Sequence, residues 1–282
     1  MLEVVHVTIL AVLLSGAASA QSTSSPVFLD HALVKHGGSE VTIVANDSTP
    51  LFQAISALRL EFGWQINWES APGYSRFDVA DDTDSKWRAA HPNEKGVTRP
   101  AGGLFTASFA EPSDPKGERD ALVKLIDEYN ATENPGKYVL LVDPTGQLTV
   151  VGKQIRDDTG ALREVSPLLD TQITLPKASR NVYETIESIL DAVQSATGKK
   201  ILLATVSSSL FINTQVAMGG ETHPARDLLK QALASTKREL QYDLSFNPDV
   251  PVFILALSPV LRESDDGAGG KRVLQANRPA KP

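Results

Sequence analysis

The sequence predicts an α+β fold made of two related small units, each a mixed three- or four-stranded sheet carrying two helices. Three observations point there. An amphipathic helix closed by glycine and followed by a short apolar strand occurs twice. In the first copy Leu51, Ile55, Leu58 and Phe62 precede Gly63 and the run Trp64–Trp68; in the second Val182, Ile186, Ile189, Leu190 and Val193 precede Gly198 and Ile201–Leu203. A second helix and a closing hairpin then follow in both copies, in the same order. Finally, 282 residues with 41% hydrophobic content are enough for two small cores.

Residues 1–20 read as a signal peptide, with an apolar run from Val7 to Leu14 broken only by Thr8 and the small-residue signature Ala18-Ser19-Ala20 before Gln21. Its first residues carry Glu3 and His6 in place of the usual Lys or Arg. The run is too short to span a bilayer. The expectation is therefore a periplasmic or secreted protein with no membrane insertion after signal cleavage. Residues 21–40 read as linker, opening with the Ser/Thr-rich stretch 21–26.

The first unit covers 41–151. Val41-Thr42-Ile43-Val44 is β-branched and predicts a strand. Thr49 is placed as N-cap of the first helix, and Pro50 at its first position, where the missing N–H costs nothing. The second helix is predicted over 118–129, with Leu122, Leu125, Ile126 and Tyr129 on one face. A hairpin then pairs 138–142 with 147–151 across Asp143-Pro144-Thr145-Gly146. Residues 152–168 are polar and read as a linker into which the last strand can run.

The second unit covers 169–261. Ile173 and Leu175 predict its first strand, and Asn181 with Glu184 a capping box. Its second helix begins near Pro224 and carries Leu228, Leu229, Ala232 and Leu233. Leu240, Tyr242, Leu244 and Phe246 alternate, turn at Asn247-Pro248-Asp249, and return as Val252–Leu255, a run apolar on both faces as in a central strand. The tail 262–282 is charged and Gly-rich and is expected to be disordered.

The first copy holds about 28 more residues than the second between its strand and its second helix. They fall in an insert at about 71–111, rich in Pro, Gly, Asp and aromatics. Tyr74, Phe77, Trp87 and His91 lie there and are the candidate partner-binding residues, because aromatics held out on a loop anchor partners. The competing reading packs them over the first unit. Trp64 and Trp68 share one strand face and read as core.

Composition excludes several classes. A formal net charge of −7 without a Lys/Arg block argues against nucleic acid and anionic membrane partners. With no cysteine there are no disulfides, thiolate metal sites or cysteine nucleophiles. His31, His36, His91 and His223 have no metal-ligand spacing, and no His-Glu-x-x-His is present. Asp78, Asp81, Asp82 and Asp84 are close in sequence but lack the spacing and glycine of a calcium loop. No Gly-x-Ser-x-Gly or phosphate-cradling loop occurs. The reading assigns no catalytic residue, no metal and no cofactor.

The run Leu51-Phe52-Gln53-Ala54-Ile55-Ser56-Ala57-Leu58, with Phe62-Gly63-Trp64-Gln65-Ile66 after it, resembles the first half of the secretin and TonB short N-terminal domain. Arg226-Asp227-Leu228-Leu229-Lys230-Gln231-Ala232-Leu233 and the strand Leu240–Phe246 resemble its second half. The resemblance covers two degenerate copies over about 41–258, less the insert, and consists of apolar positions plus a glycine. It implies a small domain of the bacterial envelope that contacts other proteins. No secretin pore or β-barrel pattern follows in this sequence, so transport and gating do not carry over.

The function expected is thus an exported, non-catalytic protein-interaction or adaptor module with an envelope protein as partner. Recognition would use an added strand at a sheet edge or the insert aromatics. The rival is a secreted hydrolase of carbohydrate or peptidoglycan using carboxylates between the units; it requires acids converging in one concave pocket. The oligomeric state is not legible.

Overall fold

A computed structural model describes residues 28–204, 208–265 and 271–275. The signal-peptide reading at 1–20 lies outside the described residues. The protein is mixed α+β. Its first half opens with a hairpin, β1 (Leu33–Gly37) and β2 (Glu40–Asn46), followed by α1 (Pro50–Phe62) and β3 (Ile66–Glu69). An excursion follows, made of β4 (Val79–Asp81), α2 (Ser85–Ala90) and β5 (Thr98–Pro100). The half closes with β6 (Leu104–Ala110), α3 (Pro115–Asn130), β7 (Lys137–Val142), β8 (Leu148–Arg156) and β9 (Leu162–Glu164).

After a 3₁₀ turn at Leu168–Asp170, the second half runs β10 (Gln172–Thr174), β11 (Ala178–Asn181), α4 (Val182–Thr197) and β12 (Ile201–Leu203). It continues with α5 (Ser208–Asn213), β13 (Gln215–Met218), β14 (Thr222–Pro224) and α6 (Ala225–Ala234). The strands β15 (Leu240–Asn247) and β16 (Val252–Pro259) complete it, and a hairpin of β17 (Leu261–Asp265) and β18 (Lys271–Gln275) follows.

Local chemistry explains the helices. Both α1 and α4 end on a left-handed glycine, Gly63 at φ 65° and Gly198 at φ 68°, a conformation other residues adopt at a cost. Asn181 and Glu184 form the expected reciprocal capping box on α4. Thr49 does not cap α1 with its side chain. Asp47 Oδ1 instead accepts from the Thr49 backbone N–H at 2.7 Å and from its hydroxyl at 3.0 Å. The Thr49 hydroxyl is thereby spent as a donor to a carboxylate, a charge-assisted bond that turns it toward Asp47.

Two strand triplets follow the same order. In the first half β3 pairs parallel with β8, and β7 pairs antiparallel with β8; in the second, β12 pairs parallel with β16, and β15 antiparallel with β16. The triplets do not stand apart as two sheets. β15 runs parallel to β3, with Asp243 opposite Trp68 and Leu244 opposite Glu69, giving one seven-stranded sheet in the order β12-β16-β15-β3-β8-β7 with β9 on β8. The expected picture of separate sheets on a polar linker is corrected on this point. The physical reason is visible in β3, all four of whose residues are buried. A strand buried on both faces belongs in a sheet interior.

Alternation assigns the faces. Ile66, Trp68, Leu148 and Val150 join the core of the first half with α1 and α3. Leu244, opposite Glu69, belongs with Tyr242, Phe253 and Leu255 to the second core, which holds α4 and α6. The two helix pairs therefore cover opposite faces of the shared sheet. The inner face of the small sheet β1-β2-β6, with Val41, Ile43, Phe105 and Phe109, closes the first core.

Three further expectations are corrected. The insert boundary 71–111 took in β6, which is core: Phe105, Ala107 and Phe109 are buried while Leu104, Thr106 and Ala110 are exposed, the signature of a half-buried strand. The strand entering α4 is β11, whereas Ile173 sits in β10 against β14. Within the tail expected to be disordered from 262, backbone pairing sets Leu261 opposite Gln275 and Asp265 opposite Lys271. Charged composition hid that hairpin because ladder hydrogen bonds need no apolar side chain.

Candidate functional site

A groove of about 620 Å³ lies between the N-terminal segment 30–34 and the outer side of α1. Its position follows from how β1 and α1 run. Gln53 Nε2 donates to the Leu29 carbonyl at 2.6 Å at one end, and His36 Nε2 lies 3.1 Å from Glu61 Oε1 at the other. Strand and helix thus travel side by side in the same direction. Ala32, Val34, Phe52, Ala57 and Leu60 contribute apolar surface, and Asp30, Asp47 and Glu61 contribute carboxylates. Among the described side chains the lining holds no Lys or Arg, and β17 packs against the same helix.

The wall on the β1 side is an open sheet edge. Among the described strands β1 pairs with β2 only, at the end of the order β1-β2-β6. Its two-residue turn makes Gly37 and Glu40 the closing pair, so backbone groups of Val34 and His36 alternate away from β2. His36 also spans two carboxylates, Glu61 through Nε2 at 3.1 Å and Glu111 through Nδ1 at 3.4 Å.

A second polar constellation is buried at the seam between the halves. Glu69, 1% exposed on β3, is gripped by Arg226 of α6 through Nε at 2.6 Å and Nη2 at 2.7 Å. The Tyr242 hydroxyl donates to Glu69 Oε1 at 2.7 Å. Asp170 binds the third guanidinium nitrogen and also Lys153 at 3.1 Å. On the opposite sheet face, Arg59 of α1 reaches Asp243 at 2.6 Å and the Ile66 carbonyl at 2.6 Å. Burial acts to lower the pKa of Arg226, but the hydrogen bond and charge of Glu69 hold it above the ordinary guanidinium value. Burial, then the Glu69 charge, pushes the Tyr242 phenol well up. Three donors meet the two Glu69 oxygens and the residue is 1% exposed, which suits a clamp.

The four insert aromatics part company. Tyr74 turns inward, its ring 6.0 Å from Phe246, and burial followed by the charge of Asp78 raises its phenol pKa. Phe77 is exposed under the Arg76 guanidinium at 4.8 Å. Trp87 and His91 stack at 4.6 Å on α2, where His91 Nδ1 lies 3.0 Å from the Trp87 carbonyl. The insert also reaches the second half, where the Thr98 N–H donates to Asp249 Oδ1 at 3.2 Å.

The acids at 78–84 are spent separately. Asp78 pairs with Arg156 at 2.6 Å, Asp81 with Arg88 at 2.7 Å and Asp82 with Arg99 at 2.9 Å, while Asp84 caps α2. No group of three His, Asp or Glu side chains is placed to hold a metal among the described residues.

Sequence reasoning missed Glu69, Arg226 and Asp170. A signal existed: Arg226 occupies the apolar face of α6, and Glu69 ends an otherwise uncharged strand core. A charge at a position that periodicity assigns to the core announces a buried partner. The groove leaves no such trace, since β1 falls in the stretch 21–40 that reads as linker. Comparison with protein-family models, curated proteins and solved structures finds no match.

Proposed function

We propose that this chain is a non-catalytic interaction module of the bacterial envelope, exported through its N-terminal apolar run, that receives an extended segment of a protein partner in the groove between β1 and α1. The observation that carries the reading is a strand edge that no other described strand pairs, beside a helix wall with apolar surface, the arrangement used when a partner adds a strand. Backbone pairing supplies affinity there, and the helix side chains select among partners. The likeness of both halves to the secretin and TonB short N-terminal domain supports the same class. Against a hydrolase stands the seam, whose carboxylates converge on a guanidinium and not on open space.

The test is capture of envelope proteins by the purified chain and by two variants. Val34→Pro removes an edge N–H, a change that edge strands tolerate; Ser56→Trp fills the groove from α1. A specific partner held by the parent and lost by both folded variants supports the reading. A partner retained by both, or no specific partner at all, overturns it.

A further inference from the structure

We infer that the chain self-associates through β7, the outer edge of the seven-stranded sheet, which pairs antiparallel with β7 of a second copy about a two-fold axis at Leu141. This edge is distinct from β1, and the contact does not depend on what the β1–α1 groove receives.

β7 ends the order β12-β16-β15-β3-β8-β7 and pairs with β8 alone among the described strands. The alternation of its backbone groups is fixed at both ends. The Asp143 N–H donates to the Gln147 carbonyl at 3.2 Å across the turn, so Leu141 and Val139, in step with it, direct their backbone groups to β8. Tyr138, Leu140 and Val142 direct theirs away. Tyr138 is already served. The Asn130 carboxamide, at the end of α3, accepts from its N–H at 2.9 Å and donates to its carbonyl at 2.8 Å. That side chain stands where the peptide of a neighbouring strand would. The outward N–H and carbonyl groups of Leu140 and Val142 meet no described residue.

The open stretch is therefore two rungs long, bounded by Asn130 at one end and at the other by Pro144, which has no N–H. Such a stretch is complementary to itself in one antiparallel register. Leu140 meets Val142 of the second copy, Val142 meets its Leu140, and Leu141 faces Leu141 as a pair without hydrogen bonds. Tyr138 then lies opposite Pro144 of the second copy, where neither needs a bond from the other. Sliding by two residues sets Tyr138 against Val142 in one direction and Pro144 against Leu140 in the other, and each shift forfeits the matched rungs.

The side chains favour the same register. Between Lys137 and Asp143 the strand reads Tyr-Val-Leu-Leu-Val, without the charge or proline that ordinarily keeps a free edge apart from other strands. Val139 is 37% and Val142 45% exposed, and Val123 on α3, which packs against β7, is 42% exposed. Pairing about Leu141 lays Leu140 on Val142 on one face and Leu141 on Leu141 on the other, so apolar surface covers apolar surface. The Lys137 end of each strand comes beside the Asp143 end of the other, with opposite charges at both junctions. One patch complementary to itself is the mark of a two-fold contact between copies.

The experiment uses the full chain. Sedimentation velocity should show monomer and dimer in equilibrium as concentration rises through the micromolar range. Leu141→Lys sets two ammonium groups opposite each other and should weaken the dimer at least tenfold, with the circular dichroism spectrum unchanged. The sequence has no cysteine, so one can be introduced without background. A pair without hydrogen bonds holds its Cα atoms about 4.5 Å apart, within disulfide reach. Leu141→Cys should therefore cross-link under mild oxidation at least tenfold faster than Val139→Cys. The latter lies on the same face, but its two copies stand about four residues out of register, roughly 13 Å along the strand and beyond that reach. A monomer at every concentration, a dimer indifferent to Leu141→Lys, or equal cross-linking of the two cysteines overturns the inference. So does a series of ever larger species, which β7 pairing with the β12 edge would build.

Discussion

The seam and the groove contain the same kinds of residue and use them in opposite ways. At the seam a carboxylate is taken out of water and both of its oxygens are met, by two guanidinium nitrogens of Arg226 and by the Tyr242 hydroxyl. In the groove, carboxylates stay near solvent beside a strand edge that has backbone groups unpaired by any other described strand. Burial with complete pairing makes a joint. Exposure beside an open edge makes a place for something else. The difference teaches that acidic residues in this chain are sorted by what surrounds them, and that the conspicuous charged cluster is the architectural one.

Breaking the seam should have the largest effect. Arg226→Ala leaves Glu69 charged and buried, and removing one partner of such a pair costs about 3–5 kcal/mol. Urea unfolding followed by tryptophan fluorescence measures it, since Trp68 lies on the strand that carries Glu69. Replacing both partners, Glu69→Leu with Arg226→Met, should recover most of the loss, because apolar side chains of similar volume substitute well for a buried ion pair. A double variant as unstable as the single one would mean that the clamp contributes something packing does not.

The legible and illegible parts of this molecule divide along the same line. Helix faces were readable: Leu122, Leu125, Ile126 and Tyr129 are buried on α3, as are Leu228, Leu229, Ala232 and Leu233 on α6. Their period is a local property. The joining of β15 to β3 was not readable, because pairing between strands some 175 residues apart leaves no local pattern. Nor was β6, whose alternating Phe105, Ala107 and Phe109 sit after a stretch of Pro and Gly that reads as loop. Of the candidate site, the idea of a sheet edge was available from the sequence, but the particular edge was not. Leu33–Gly37 carries too few apolar residues to stand out, and its value lies in what it leaves unpaired.

Gly152 sharpens the contrast between a filled interior and an open groove. An added Cβ would lie 2.4 Å from the Ala71 nitrogen and 2.6 Å from its Cα, and backbone atoms cannot rotate aside. Gly152→Ala should therefore cost about 1–3 kcal/mol in the same unfolding assay. A neutral result would show that the chain leaving β3 has slack.

Asp143 and Lys230 form a partly buried version of the clamp, at 3.0 Å between the β7–β8 turn and α6. Burial acts to raise the Asp143 pKa, but the Thr145 hydroxyl and Lys230 outweigh it, so the folded value lies below the ordinary one. Stability from this carboxylate is fully present above the unfolded value of about 3.9 and is lost as pH falls through the folded value. Asp143→Asn should cost roughly 0.2–1 kcal/mol near pH 7. That gap should hold down to about pH 5 and close below about pH 4. A gap that widens in acid would reverse the sign of the linkage and remove the pair from the joint.

Groove substitutions should barely register on stability, and this is where the comparison is most exposed to test. Asp30 is an exposed side chain, so Asp30→Asn should leave the unfolding free energy within about 0.5 kcal/mol of the parent. The same change should weaken capture of the envelope partner at the groove, and should do so less at high salt, where screening shortens the reach of the charge. Stability and recognition would then be carried by separate sets of acids. If Asp30→Asn instead destabilises the fold as Arg226→Ala does, the groove acids are structural too, and the division between joint and open site fails.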